Sequence, residues 1–108
     1  KEGMVYATPR MVSDVEYAIR DFLLGYLDPG EDSVGTHVTI DHLAATPVGM
    51  RVTIEYAVTH VEGRKVRCAF KVRDELEECG SGVHVRFVVD AEKTRQRLAK
   101  KRAAAKKP

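Results

Sequence analysis

The chain has 108 residues, of which 44% are hydrophobic, and its formal net charge is +2 at pH 7. This length corresponds to a single domain with a modest core. Because no run of about 18 apolar residues occurs, the sequence predicts no membrane-spanning helix. It also shows no secretory signal, and its two cysteines, Cys68 and Cys79, fit neither a disulfide framework nor a metal site. We therefore predict a reduced, cytoplasmic protein without a metal or other cofactor.

The first predicted element is a long helix from Pro9 to about Tyr26. Thr8 and Pro9 fit its start, with a capping hydroxyl followed by a proline at the first helical position. The Leu-Asp-Pro-Gly run at 27–30 predicts its end. Its apolar residues recur at three- and four-residue steps and so share one face. They are Met11, Val12, Val15, Ala18, Ile19, Phe22, Leu23 and Tyr26.

Four segments with a period of two follow the helix, at 34–44, 50–61, 65–73 and 77–89. Glu62-Gly63 predicts a tight hairpin turn between the second and third. Gly80 and Gly82 predict a bulge or a close backbone approach in the fourth, whose apolar face is assigned to Val83, Val85, Phe87 and Val89. One helix followed by a four-stranded antiparallel meander is an α+β pattern. A helix covered on one side only favours pairing with a second copy of the chain.

The end of the chain is basic and helical from Ala91. Residues 91–108 contain eight Lys or Arg residues and one acidic residue, Glu92. A basic tail of this kind is either a solvated helix end or a contact for phosphate groups. Because the rest of the chain has no nucleic-acid motif, a nucleic-acid partner is not expected. The sequence thus divides into a body at 1–90 and a basic helical tail at 91–108.

Two side chains are candidates for acid–base chemistry. His42 shares a strand face with Thr36, Val38 and Ile40, which predicts that it points toward the helix. A histidine in that position is either a hydrogen-bonded core residue or a catalytic acid–base group. Glu16 lies at the margin of the apolar stripe, where partial burial would make its carboxylate a better base, although it could equally be an ordinary helix-edge glutamate.

The remaining histidines and a search for familiar catalytic motifs add no further candidates. His37 and His84 are predicted to face the surface or an interface, and Thr8 by itself is only a helix cap. No serine nucleophile elbow, phosphate-binding loop or metal-ligand spacing is present in the sequence.

Several longer motifs occur in one register. Ala-Thr at 7–8 is followed by Glu16, and LDPGEDSVGT occupies 27–36. HLAATPVGM at 42–50, VEGR at 61–64 and GSGVHVR at 80–86 come next. Together they resemble the fluoroacetyl-CoA thioesterase branch of the hotdog superfamily. The resemblance implies a hotdog fold, in which an antiparallel sheet wraps around one long central helix.

The resemblance also implies roles for individual residues. Thr8, Glu16 and His42 match the catalytic residues of the family, with Glu16 acting as a general base on water or as a direct nucleophile. Gly35 matches the glycine that lines the acyl pocket, and Thr36 and Arg86 are expected to bind substrate. The implied reaction is hydrolysis of a short-chain acyl-CoA thioester.

The family further implies a homodimer or a higher even oligomer, with the active site where two subunits meet. It also implies a first strand and a lid segment upstream of Lys1. Because the lid would carry the aromatic residues that select a fluorinated acyl group, fluoroacyl selectivity does not carry over to this chain. The alternative interpretation is a non-catalytic hotdog module that binds acyl-CoA or a small effector.

Overall fold

A computed structural model describes residues 4–105 as one four-stranded antiparallel sheet with a helix against one face and a second helix at its end. The elements are α1 (Thr8–Leu24), β1 (Glu31–His42), β2 (Thr53–Glu62), β3 (Lys65–Arg73), β4 (Glu78–Asp90) and α2 (Ala91–Ala105). The predicted long helix, four strands and basic terminal helix are therefore confirmed. No helix in this part of the chain is long and apolar enough to span a membrane.

The core of the protein forms where α1 lies on the sheet. Met11, Val15, Ile19 and Leu23 of α1 are buried, which confirms the predicted apolar stripe. On the sheet, the buried residues of β3 recur at every second position, as its period of two predicts. They are Val66, Cys68, Phe70 and Val72.

The start of α1 differs from the prediction. Ala7 occupies the N-cap position and makes no side-chain capping bond, while Thr8 is already helical and Pro9 follows it in the first turn. A proline is tolerated in that turn because its missing N–H would have no partner inside the helix anyway. The prediction that Thr8 caps the helix is therefore wrong, and its hydroxyl is available for another contact.

The strand order is β1-β4-β3-β2. Strands β2, β3 and β4 form a meander as predicted, with the tight turn beginning at Gly63, whose φ is +60°. The prediction is wrong for β1, which pairs with β4 instead of β2. The connection at 43–52 carries the chain from one edge of the sheet to the other. As a result, β1 and β2 are the two edge strands of the described residues.

The face of β4 that packs toward α1 is also opposite to the prediction. Gly80, Gly82, His84 and Arg86 pair with inward-facing residues of β3, so they share the helix side. Val83 and Val85 lie on the other side of the sheet, against Thr36 and His37. The predicted close approach at the glycines is confirmed, because a Cβ on Gly80 would lie 2.5 Å from Sδ of Met11.

A bulge in β1 changes which of its residues face the helix. Gly35 pairs with Arg86 and His37 with Val85, which leaves Thr36 as an extra residue in β1. The hydroxyl of Thr36 donates to the carbonyl of Val85 at 3.3 Å on the outer side of the sheet. The prediction that Thr36 shares a face with Val38 is therefore wrong, since one inserted residue reverses the alternation.

Helix α1 runs antiparallel to β1 along its whole length. Near its start Thr8 meets His42, and near its end the guanidinium of Arg20 binds the carboxylate of Asp32 at 3.0 and 2.7 Å. This hydrogen-bonded pair holds the pKa of Asp32 below its usual range. The two contacts fix which residue of α1 lies over which residue of β1.

Helix α2 leaves the sheet at the end of β4 and buries none of its residues. Its first turn is capped by Asp90, whose carboxylate accepts a hydrogen bond from the backbone N–H of Lys93 at 2.8 Å. This is the arrangement expected of a solvated basic helix.

Substituting Gly82 with alanine tests the close packing of β4. A Cβ at Gly82 would collide with the backbone carbonyl oxygen of Thr39, which cannot rotate away. We expect Gly82→Ala to lower the free energy of unfolding by about 1–3 kcal/mol or more, measured by denaturant titration.

The matched control is Gly25→Ala. Gly25 has a helical φ of −68°, and a Cβ there would lie 3.5 Å from the carbonyl oxygen of Phe22, an ordinary contact. We expect this change to stay within about 1 kcal/mol of the parent chain. Equal stabilities for the two variants would contradict the described packing of β4 against β1.

Candidate active site

One pair of candidate residues meets where α1 begins and β1 ends. Oγ1 of Thr8 lies 2.6 Å from Nδ1 of His42, so the two side chains share a hydrogen bond. The other ring nitrogen of His42, Nε2, is buried and has no hydrogen-bond partner among residues 4–105. An imidazole with one nitrogen anchored and the other unused is arranged to exchange a proton with a bound molecule.

A second group surrounds Gly35, in the middle of the contact between α1 and β1. The point where a Cβ of Gly35 would lie is 2.8 Å from Oε2 of Glu16 and 3.5 Å from Nη1 of Arg86. The carboxylate and the guanidinium therefore approach this glycine together. They form no ion pair with each other within the described part of the chain. Any side chain at position 35 would occupy the space between them.

Arg86 is a buried cation held by several fixed contacts. It is 5% exposed, and its Nε and Nη2 donate to the hydroxyl and carbonyl oxygens of Ser33, each at 2.7 Å. Nη1 lies 3.0 Å from Nε2 of His84. Burial lowers the pKa of Arg86 and the nearby Glu16 raises it. A guanidinium holds its proton so strongly that Arg86 stays charged in spite of its burial.

His84 is a site residue that sequence reasoning missed. The sequence predicts that it faces the surface or an interface, yet it is fully buried beside Gly35 and Arg86. Its Nδ1 lies 3.0 Å from the backbone carbonyl oxygen of His37. Burial lowers the pKa of His84, which favours the neutral ring.

A signal for His84 was present in the sequence. Gly80, Gly82 and Arg86 share the phase of His84 along β4. Two glycines on one face of β4 indicate that another part of the chain packs closely against that face. A histidine and an arginine on the same face then indicate a buried polar site. The apolar alternation of the valines was the stronger pattern and pointed to the other face.

The structure does not bring all three candidate catalytic residues together within one subunit. Thr8 and Glu16 are eight residues apart on α1, which separates them by about 12 Å along the helix axis. Gly35 and His42 are seven residues apart on β1, or roughly 20 Å. Glu16 therefore belongs with Gly35 and Arg86 at one point of β1, while Thr8 and His42 form a separate pair at its end. Thr36 lies on the outer side of the sheet, away from both groups.

Metal chemistry receives no support from the described side chains. Within residues 4–105, no three His, Cys, Asp or Glu residues are grouped as a metal ion would require. Cys68 and Cys79 are both free and buried. The two candidate groups supply a carboxylate, a buried cation and an imidazole, which suit proton transfer and stabilisation of a developing negative charge.

Comparison with known proteins connects this geometry to a family. The family model for fluoroacetyl-CoA-specific thioesterases matches residues 1–92. The fluoroacetyl-CoA thioesterase of Streptantibioticus cattleyicolor is 39% identical over 100 residues, which cover 93% of this chain and 72% of that protein.

Solved structures agree with the family match. A structure of the fluoroacetyl-CoA thioesterase FlK superimposes with a TM-score of 0.88 at 36% identity, covering 100% of this chain and 76% of the other. A hot-dog-like protein from Thermanaerovibrio acidaminovorans gives a TM-score of 0.85 at 25% identity, with 90% and 72% of the two chains covered. The chain therefore has the predicted hotdog fold and belongs to the family of fluoroacetyl-CoA-specific thioesterases.

Proposed function

We propose that this protein hydrolyses a short-chain acyl-CoA thioester to the free acid and CoA. Its membership of a thioesterase family makes it a thioester hydrolase. The observation that carries the proposal is the arrangement at Gly35, where a carboxylate and a buried guanidinium approach the same glycine without forming an ion pair with each other. Relatives that share the match act on fluoroacetyl-CoA, a thioester with a two-carbon acyl group.

Glu16 and Arg86 have complementary roles in this proposal. Hydrolysis requires a nucleophile at the thioester carbonyl carbon and a donor for the negative charge that develops on its oxygen. Glu16 acts as a general base on water or attacks the carbonyl directly as a carboxylate. Arg86 contributes an N–H donor and a fixed positive charge beside the same glycine, Gly35. Because the guanidinium is already held by Ser33, it needs no reorganisation during the reaction.

The Thr8–His42 pair completes the site from a second subunit. Strand β1 is an unpaired edge in the described residues, and such an edge readily accepts another strand. If two β1 strands pair antiparallel about a two-fold axis at Thr39, Ile40 faces Val38 of the partner subunit. His42 then lies opposite the bulged residue Thr36 of the partner subunit, next to Gly35 of that subunit. One pairing therefore joins both candidate groups, twice per dimer.

In that composite site, His42 handles the proton that the leaving thiolate of CoA requires. Its Nδ1 is anchored by the hydroxyl of Thr8, and its Nε2 has no protein partner within residues 4–105. An anchored imidazole of this kind can pass a proton to the sulfur as the carbon–sulfur bond breaks. Thr8 thus fixes the ring orientation and takes no direct part in bond breaking.

We also propose that the acyl group is small and that the protein is cytoplasmic. The point where a Cβ of Gly35 would lie is only 2.8 Å from Oε2 of Glu16 and 3.0 Å from Cε1 of His84, and such close surroundings favour the smallest acyl groups. Both cysteines are free thiols, which agrees with a reducing compartment where CoA thioesters are made and used.

The direct test is release of free CoA thiol from acetyl-, propionyl-, butyryl- and fluoroacetyl-CoA by the purified protein. We expect repeated turnover and the highest kcat/KM with the shorter acyl groups. Glu16→Gln keeps the side-chain shape but is neither basic nor nucleophilic, so it should lose at least about 100-fold in kcat. Saturable acyl-CoA binding without thiol release would instead support the non-catalytic module.

Mixing two inactive variants tests the composite site. Glu16→Gln damages one half of every site and His42→Ala the other. In a dimer that contains one chain of each, one site has both residues intact and the other has neither. When equal amounts of the two variants are refolded together, about half of the dimers contain one chain of each. Because one of the two sites in each mixed dimer is intact, about a quarter of the parent activity should be restored.

The control mixture combines Glu16→Gln with the double variant Glu16→Gln/His42→Ala. No chain in this mixture carries Glu16, so no activity should be recovered. In each mixture, light scattering should show a mass near twice that of the 12.0 kDa chain. Recovery in neither mixture, with dimers present in both, would show that Glu16 and His42 act within one subunit.

A further inference from the structure

The guanidinium of Arg86 is fixed at each of its three nitrogens. Ser33 accepts hydrogen bonds from Nε and Nη2. The third nitrogen, Nη1, is the atom of Arg86 that approaches Gly35, and it carries two hydrogens. One of them points to Nε2 of His84 at 3.0 Å, and the second has no hydrogen-bond partner among the described contacts of residues 4–105. Nη1 is therefore the only nitrogen of Arg86 without a bond to Ser33 in the described contacts.

We propose that His84 is a positioning residue, which as a neutral ring protonated on Nδ1 aims Nη1 of Arg86 into the acyl pocket beside Gly35. It touches the guanidinium and acts through it. The activity readout of this inference rests on the proposed thioesterase function, whereas the protonation state of His84 does not depend on that function.

The two hydrogen bonds of His84 determine its tautomer. A guanidinium nitrogen can only donate, so Nε2 of His84 has to be the acceptor and carries no hydrogen. A backbone carbonyl oxygen can only accept, so Nδ1 has to donate to His37 and carries the hydrogen. Both ring nitrogens are thus satisfied in one neutral form. The bulge in β1 lies directly beside His37 and sets the position of that carbonyl.

The surroundings of His84 oppose its protonation. The ring is fully buried, and a proton on Nε2 would point at an N–H of Arg86 and add a second positive charge beside the first. Three titratable or charged side chains lie near it on the helix side of the sheet: Arg86 on its own strand, Glu16 from α1 and Cys68 from the paired position of β3. His37 of β1 contacts it through its backbone carbonyl, while the His37 ring lies on the outer side of the sheet. Burial and Arg86 lower the pKa of His84, while the His37 hydrogen bond and Glu16 act in the other direction.

Two amide variants separate the two bonds of His84. The amide of glutamine reaches the place of Nε2 and can still accept from Arg86. The shorter amide of asparagine reaches the place of Nδ1 and can donate to His37, but it leaves Nη1 without an acceptor. We expect His84→Gln to keep kcat within roughly threefold and His84→Asn to lose roughly ten- to a hundredfold in kcat with little change in KM.

A double-mutant cycle tests whether the loss acts through Arg86. In an Arg86→Met background, His84→Asn should cause no further loss of kcat, because no guanidinium remains to be aimed. Equal losses in both backgrounds, or equal kcat for the glutamine and asparagine variants after correction for folded protein, would overturn the positioning role.

Nitrogen NMR of the histidine side chains tests the same inference without activity. For the parent chain we expect the His84 ring to carry its hydrogen on Nδ1 and to stay neutral at pH 6. A hydrogen on Nε2, or a doubly protonated ring at that pH, would overturn the proposal even if thioester hydrolysis is observed. If the predicted tautomer is found and no acyl-CoA is hydrolysed, the proposed function fails and the geometry of His84 stands.

Discussion

Both the core and the candidate site of this protein depend on how closely α1 can lie along β1 and β4. Most side chains would hold a helix away from a sheet, but Gly35 and Gly80 place no side chain under α1. At Gly80 the vacant volume is filled by Met11, which becomes part of the core. At Gly35 the carboxylate of Glu16 approaches the strand instead, and His84 and Arg86 of β4 lie beside it. The same close approach therefore produces a packed core at one point and a candidate reaction site at another.

The second constraint is a buried positive charge. Moving a guanidinium out of water is costly unless its hydrogens are bonded, and the contacts of Arg86 with Ser33 and His84 meet that need without a direct ion pair. Glu16 lies near enough to favour the charge but does not neutralise it. A site built in this way keeps a preoriented donor for an anionic transition state. In our proposal, His42 of the partner subunit supplies the proton for the leaving group.

Much of this could be predicted from the sequence, because period and spacing report burial well. The apolar stripe of α1 from Met11 to Leu23 and the period of two in β3 both match the burial in the structure. The predicted capping role of Thr8 was wrong because a threonine before a proline can be either the N-cap or a residue of the first turn. Thr36 was misplaced because a bulge leaves no clear mark in an alternating strand. His84 was missed because β4 has apolar residues on the outer face, which alternation alone assigns to the core. The position of β1 beside β4 depends on a long crossing connection, whose path local patterns do not encode.

The central claim is that two subunits share each site, and a crystal structure of the Glu16→Gln variant with bound acetyl-CoA tests it most directly. We expect the acetyl group beside Gly35 and Arg86 of one subunit. The CoA sulfur should lie within hydrogen-bonding reach of His42 of the partner subunit, across paired β1 strands. An acetyl group bound elsewhere would contradict the account, as would a dimer whose β1 strands remain unpaired while the ligand contacts residues of one subunit alone.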